Sequence, residues 1–261
     1  MNALSIAATG MQAQQTNVDV ISHNIANMNT TAYKRQRAEF EDMLYQNIER
    51  PGATSSASGN VMPLGIQLGV GVKTDAIARE TEQGGMNNTN NPYDLAIDGR
   101  GYFQVSLPSG QLAYTRAGNF AVNADGQLVT SDGYPVEPAI TVPPEATAVS
   151  ISRDGIVNAT LSGQTQPQQL GQLEIANFIN PAGLEAMGDN MFLETPASGT
   201  ATTATPGQPG FGTLMQGYLE LSNVNAVEEI SSLIVAQRAY EMNARVITAA
   251  DEMLQTTTQV R

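Results

Sequence analysis

Hydrophobic positions recur every seven residues at both ends of the chain and every two residues in its middle. At the C-terminal end Leu233, Tyr240, Ile247 and Leu254 keep a strict heptad, and Ile230, Gln237 and Ala244 occupy the offset that completes a seam. A second apolar stripe, Val235, Ala239, Met242, Val246, Ala249 and Met253, runs along another face of the same helix. Two stripes predict more than one neighbouring helix. Asn225, three residues before Glu228, has capping-box spacing, and Glu228 with Glu229 puts negative charge at the positive end of the helix dipole. Fixing this stretch costs about 1–2 kcal/mol per residue, whereas each large buried apolar side chain returns roughly 1.5–3 kcal/mol, so a single covered face leaves the helix marginal.

The N-terminus shows the same period. Leu4, Met11, Val18 and Ile25 form one line, and Ala7, Gln14, Ile21 and Met28 the other. Gln14 and Gln237 are polar seam residues of the kind that fix register between packed helices. The two heptad helices are expected to pack together, as one helical domain made from both chain ends.

After the Asn29-Thr30-Thr31 break, Phe40, Met43, Leu44 and Ile48 predict an amphipathic helix over 37–48, closed by Pro51. The stretch from Pro51 to Gly71 is rich in Gly, Ser and Thr and reads as a linker or a long exposed hairpin. From about Val72 to Thr195 the period is two. Phe103, Val105 and Leu107 alternate with Gln104 and Ser106, Phe120 and Val122 with Asn119, Ala121 and Asn123, and Val149 and Ile151 with Ser150 and Ser152. Asp-Gly pairs at 98–99, 125–126, 132–133 and 154–155 punctuate these half-buried strands as tight antiparallel turns. The tract 196–212 reads as a surface connection, and no solenoid repeat is present.

The fold class is therefore α+β. A discontinuous helical domain (1–45 with 218–261) and an extended arm (46–71) accompany a central, mainly antiparallel β domain (72–217).

With 261 residues, 41% of them hydrophobic, the chain can bury a sizeable core. A formal net charge of −13, with lysine only at 34 and 73, argues against nucleic acid or anionic membrane as partner. The basic run 34–37 is followed by Glu39, Glu41 and Asp42 and reads as local charge pairing. Absence of cysteine excludes disulfides, Fe–S clusters and thiol catalysis. No apolar run reaches membrane-spanning length, and the N-terminus lacks an ordinary secretory signal, so if the chain leaves the cytoplasm another route carries it.

No catalytic constellation emerges. His23, the sole histidine, lies off the heptad seam with no cysteine or second histidine nearby and reads as a surface or subunit-contact residue. The run 69–74 lacks the glycine before lysine that a phosphate loop needs, and Gly99-Arg100-Gly101 is too short for a dinucleotide fingerprint. Glu39, Glu41 and Asp42 are expected on a solvated helix face. The sequence predicts neither enzyme nor cofactor; the competing class is a secreted β-rich adhesin or enzyme held as a coiled-coil oligomer.

Several local motifs resemble the bacterial flagellar axial family of rod and hook subunits. They run through Thr9-Gly10-Met11, residues 14–20, Asn24-Ile25-Ala26-Asn27, Thr30 and Tyr33-Lys34. In the middle they comprise Asp94-Leu95-Ala96-Ile97, Gly99, Gly101-Tyr102-Phe103 and Tyr114-Thr115-Arg116. At the C-terminus they comprise residues 222–225, Glu228-Glu229 and 237–241. Within the family, residues 40–46, Pro51-Gly52-Ala53 and the overall length are most similar to distal rod subunits. The resemblance implies a helical tube of many copies that transmits torque from motor to hook, with the terminal helices lining the inside and the β domain outside. It implies proximal rod and hook subunits and surrounding ring proteins as partners, export by the flagellar type III apparatus, and a place in the basal body from periplasm to outer membrane. Leu4, Met11, Gln14, Val18, Ile21, Ile25 and Met28, with Ile230, Leu233, Gln237, Tyr240, Ala244, Ile247 and Leu254, are the expected assembly seam.

Overall fold

The computed structural model describes residues 2–49, 65–163 and 166–259. They form an α+β protein with two compact units: 1–26, 36–79 and 225–261 in one, 27–35 and 80–224 in the other. In the first unit α1 (Asn2–Ala26) packs against α2 (Ala226–Gln259), and four strands follow α1: β1 (Gln36–Asp42), β2 (Tyr45–Glu49), β3 (Ile66–Gly69) and β4 (Val72–Arg79). With a 1.5 Å rise per residue the two helices are about 38 and 51 Å long.

Strands β1 and β2 correct the helix expected over 37–48. β1 runs antiparallel to β4, and β2 to β3, with a bulge at Glu39/Phe40. The ion pairs explain the preference. Arg37 Nη2 lies 2.9 Å from Glu39 Oε1, and residues two apart share a strand face but not a helix face. Lys73 Nζ lies 3.0 Å from Glu41 Oε2 directly across the ladder. Phe40, Tyr45 and Ile48 are also strand formers. Glu39, Glu41 and Asp42 therefore lie on a ribbon rather than on a helix. Most of the arm expected over 46–71 falls on residues 50–64, outside the described residues. On either side of them, Tyr45 to Glu49 pairs with Ile66 to Gly69.

In the second unit all strand pairings are antiparallel. The largest sheet orders Glu185–Gly188, Met191–Leu193, Leu112–Thr115, Tyr102–Ser106, Ile175–Asn177 and Thr202–Ala204, with Val136–Glu137 also paired to Tyr102–Ser106. A three-stranded sheet joins Ala146–Ile151, Ile156–Leu161 and Gln168–Gln172. The glycines of the Asp-Gly pairs at 126, 133 and 155 all adopt positive φ, between 80° and 87°, as the turn reading requires.

Strand Tyr102–Ser106 is not half-buried as its alternation predicts. Phe103 enters one core with Leu95, Ile97, Leu173 and Ile175, while Tyr102 enters a second with Tyr114, Phe178 and Leu184, and Val105 is fully buried as well. Edge-to-face rings at 5.8 Å (Tyr102 and Phe178) and 4.8 Å (Tyr114 and Phe178) close that second face. Only a tertiary neighbour can bury both faces of a strand.

Candidate assembly interface

Small and polar residues mediate the closest approach of the two helices. Ala7, Ala13, Val20, Ile21 and Asn24 are buried on α1, as are Glu229, Ala236 and Ala250 on α2. Glu229, Ala236 and Ala250 fall on one heptad line with Asn243, and a Cβ added to Gly10 would stand 2.8 Å from Asn243 Nδ2. This line is one residue out of phase with Ile230, Gln237 and Ala244. Alanine and glycine let backbones approach, but they contribute little to a hydrophobic pattern, so periodicity placed the emphasis on the larger flanking residues.

The expected seam residues flank this contact. Ile21 is buried, and Leu4, Met11, Gln14, Val18, Ile25, Leu233, Ala244 and Ile247 are half-buried. Ile230, Gln237, Tyr240 and Leu254 are exposed. Met28 lies past the end of α1, exposed, in the segment belonging to the β unit. Val18, Gln237 and Tyr240 line a shallow groove of about 410 Å³ with Gln15 and Glu241. On α2, Val235 is 67% exposed, Met242 61% and Met253 63%. Helix α1 thus leaves one apolar face of α2 in water.

Asn24 fastens the helices to the ribbon. Its Nδ2 donates to Gln36 O at 2.8 Å and to Glu229 Oε2 at 3.2 Å, and its Oδ1 accepts from Gln36 N at 2.9 Å. Opposite it, Asn225 caps α2, with Oδ1 accepting from Val227 N at 3.1 Å. Glu229 therefore serves a buried hydrogen bond besides its place near the helix dipole. Asn24→Ala would remove the side chain that pairs the Gln36 backbone N–H and C=O, costing about 1–3 kcal/mol. The concentration needed for polymerisation is expected to rise about tenfold to a hundredfold, measured by sedimentation of the polymer.

In the β unit, both oxygens of the Glu220 carboxylate are held by cations. Lys34 Nζ lies 2.5 Å from Oε1 and Arg116 Nε 2.8 Å from Oε2, and all three side chains are buried. Gly84 N also donates to Oε1 at 3.0 Å, and Lys34 Nζ donates to Glu82 O at 2.7 Å. Arg116 completes its fork on the carbonyls of Gly101, Ile97 and Gly99. Burial pushes the Glu220 carboxyl up, but Arg116 and then Lys34 outweigh it and hold it below the usual carboxylate range. Burial, with the Arg116 charge beside it, holds the Lys34 ammonium below its ordinary value despite Glu220. The basic run is thus paired, but only Arg37 locally: Lys34 reaches Glu220, and Arg35 reaches Glu80 at 3.4 Å. Nothing in local spacing announces Glu220 as a partner.

Among the described residues no group of three or more His, Asp or Glu is placed to hold a metal ion, and His23 sits exposed on α1.

Family models match all three parts of this architecture, both terminal helices and the β unit between them. Residues 4–34 match the flagella basal body rod protein model, 96–159 the flagellar hook protein FlgE/F/G D1 domain, and 215–260 the flagellar basal body rod FlgEFG protein C-terminal model. The chain is 61% identical to the flagellar basal-body rod protein FlgG of Caulobacter vibrioides, over all of both chains. It is 53% identical to FlgG of Agrobacterium fabrum over 97% of each chain, and 39% identical to FlgG of Bacillus subtilis over 98% of this chain and 97% of that one. The chain belongs to the FlgG family of flagellar basal-body rod proteins. It is a structural component of the flagellar basal body and not an enzyme.

Proposed function

We propose that many copies of this chain build the distal rod, a helical tube that carries torque from the motor to the hook. The observation behind this reading is the uncovered apolar face of α2, with Val235, Met242 and Met253 each more than 60% exposed. Further copies supply the covering helices, and repeating one heterologous contact gives an open helical array rather than a closed ring. The expected seam residues contact neighbouring copies from the edges of the α1/α2 contact. In the tube, 1–45 with 218–261 line the inside, 72–217 face outward, and 46–71 act as an arm between neighbours. The subunit is exported through the flagellar type III apparatus. It meets proximal rod subunits below, hook subunits above and ring proteins around it, from periplasm to outer membrane.

Labelling the protein in isolated basal bodies tests its place: signal confined to the proximal rod or the hook would overturn it. The arm has its own test. Deleting Thr54–Asn60 is expected to preserve export but give rods that are more flexible, shorter or irregular in length. Straight rods of parental length in electron micrographs would leave 46–71 a passive linker.

A further inference from the structure

The chain crosses between its two compact units four times, at 26/27, 35/36, 79/80 and 224/225. Three of these crossings leave the β unit from one knot of hydrogen bonds. Arg35 N donates to Asn223 Oδ1 at 2.7 Å, Glu80 N to Arg35 O at 2.8 Å, and Asn223 Nδ2 to Glu82 O at 3.1 Å. Ala32 N donates to Glu220 O at 2.8 Å beside them. Behind the knot lies the buried charge cluster, and its members are anchored unequally.

We propose that Lys34, Glu220 and Arg116 form a latch that holds connectors 27–35 and 80–84 on the β unit, and that uptake of one proton by Glu220 opens it while the apolar core stays closed. With Glu220 neutral, two buried cations face each other with no counter-charge between them. Arg116 keeps three carbonyl acceptors in the 97–101 loop and stays in place. Lys34 keeps only Glu82 O, on the other connector. The ammonium therefore goes to water and draws the buried Ala32 and Tyr33 with it. The other charged and aromatic groups at the site oppose this little. Arg35 and Glu80 pair with each other, each about one quarter exposed, and the Tyr102 ring stacks 6.0 Å from the Arg116 guanidinium. The main core, built on Leu95, Phe103 and Ile175, is assembled from apolar side chains, with Tyr93 packed against it.

The sign follows from the depressed Glu220 carboxyl. The latch is closed above the ordinary carboxylate range, about pH 4.3, and is lost as pH falls through the lower value at which the folded Glu220 takes up its proton.

Hydrogen exchange of the full-length protein, read by mass spectrometry and corrected for intrinsic rate, tests the latch. In Glu220→Gln at pH 7, peptides covering 27–35 and 80–86 are expected to exchange roughly a hundredfold faster or more, as breaking a buried ion pair implies, while 95–97, 103–105 and 175–176 keep parental protection. The parent should show the same order below pH 4. Lys34→Met should release the connectors already at pH 7. Unchanged connector protection in Glu220→Gln would overturn the latch, as would loss of core and connector protection together. If Glu220→Gln does not fold, the acid titration of the parent decides: connectors opening before the core support the latch, and simultaneous opening overturns it.

Discussion

Replacing Leu233 with Asp is expected to abolish rod assembly and motility while leaving the β unit folded. Leu233 is half-buried at the edge of the α1/α2 contact, on the heptad of Tyr240, Ile247 and Leu254. A carboxylate there loses its water against α1 and loses it again when a further helix covers the exposed side. Helix α1 carries no lysine or arginine, and Arg238 and Arg245 on α2 fall outside the i+3 and i+4 positions that could pair with it. An uncompensated buried charge costs several kcal/mol, and a tube repeats that cost in every subunit. The strands of the β unit form a separate compact body with its own cores, so they should keep their near-ultraviolet circular dichroism and protease resistance. Ile247→Asp should behave alike. Cells carrying Leu233→Asp that build complete hooks and swim normally would refute the seam.

The second large effect is expected in the β unit. Gly118→Ala should lower its stability by about 4 kcal/mol or more, since only a few mechanisms produce losses of that size and this is one of them. A Cβ at 118 would stand 1.6 Å from Leu95 O and 3.3 Å from the Phe103 ring. Leu95 cannot retreat: it is fully buried, its N–H bonds Gly118 O at 2.9 Å, and its strand pairs with Thr213–Gln216. At roughly 2–4 °C per kcal/mol for a domain of this size, the unfolding midpoint should fall by about 10 °C or more. Gly110→Ala is the control. Gly110 has a φ of 80° but open space around its Cβ, so only backbone strain of about 1 kcal/mol is expected. Equal midpoints for the two variants would show that the close approach at Gly118 relaxes freely.

Ala32 shows how a local rule yields to its surroundings. Its φ is 57°, a conformation that favours glycine, yet an alanine occupies it. The site is held by Ala32 N donating to Glu220 O and by burial beside Tyr33 and Lys34. Tertiary contacts thus impose a backbone state that the residue itself disfavours.

The sequence by itself determined the elements whose signal repeats. Heptads at 4–25 and 233–254 required two long helices, Asn225 marked where the second begins, and alternation with Asp-Gly turns required antiparallel strands between them. Composition and residue type excluded thiol chemistry and left no catalytic constellation. Tertiary structure alone decided the rest. Residues 37–48 read as a helix in sequence because short apolar runs fit both periods, and only pairing with 66–79 selects the strands. The innermost helix contact was hidden because alanine, glycine and buried polar residues carry little hydrophobic signal. The Lys34, Arg116 and Glu220 cluster joins residues far apart along the chain, and a charge names no partner until folding removes the water around it.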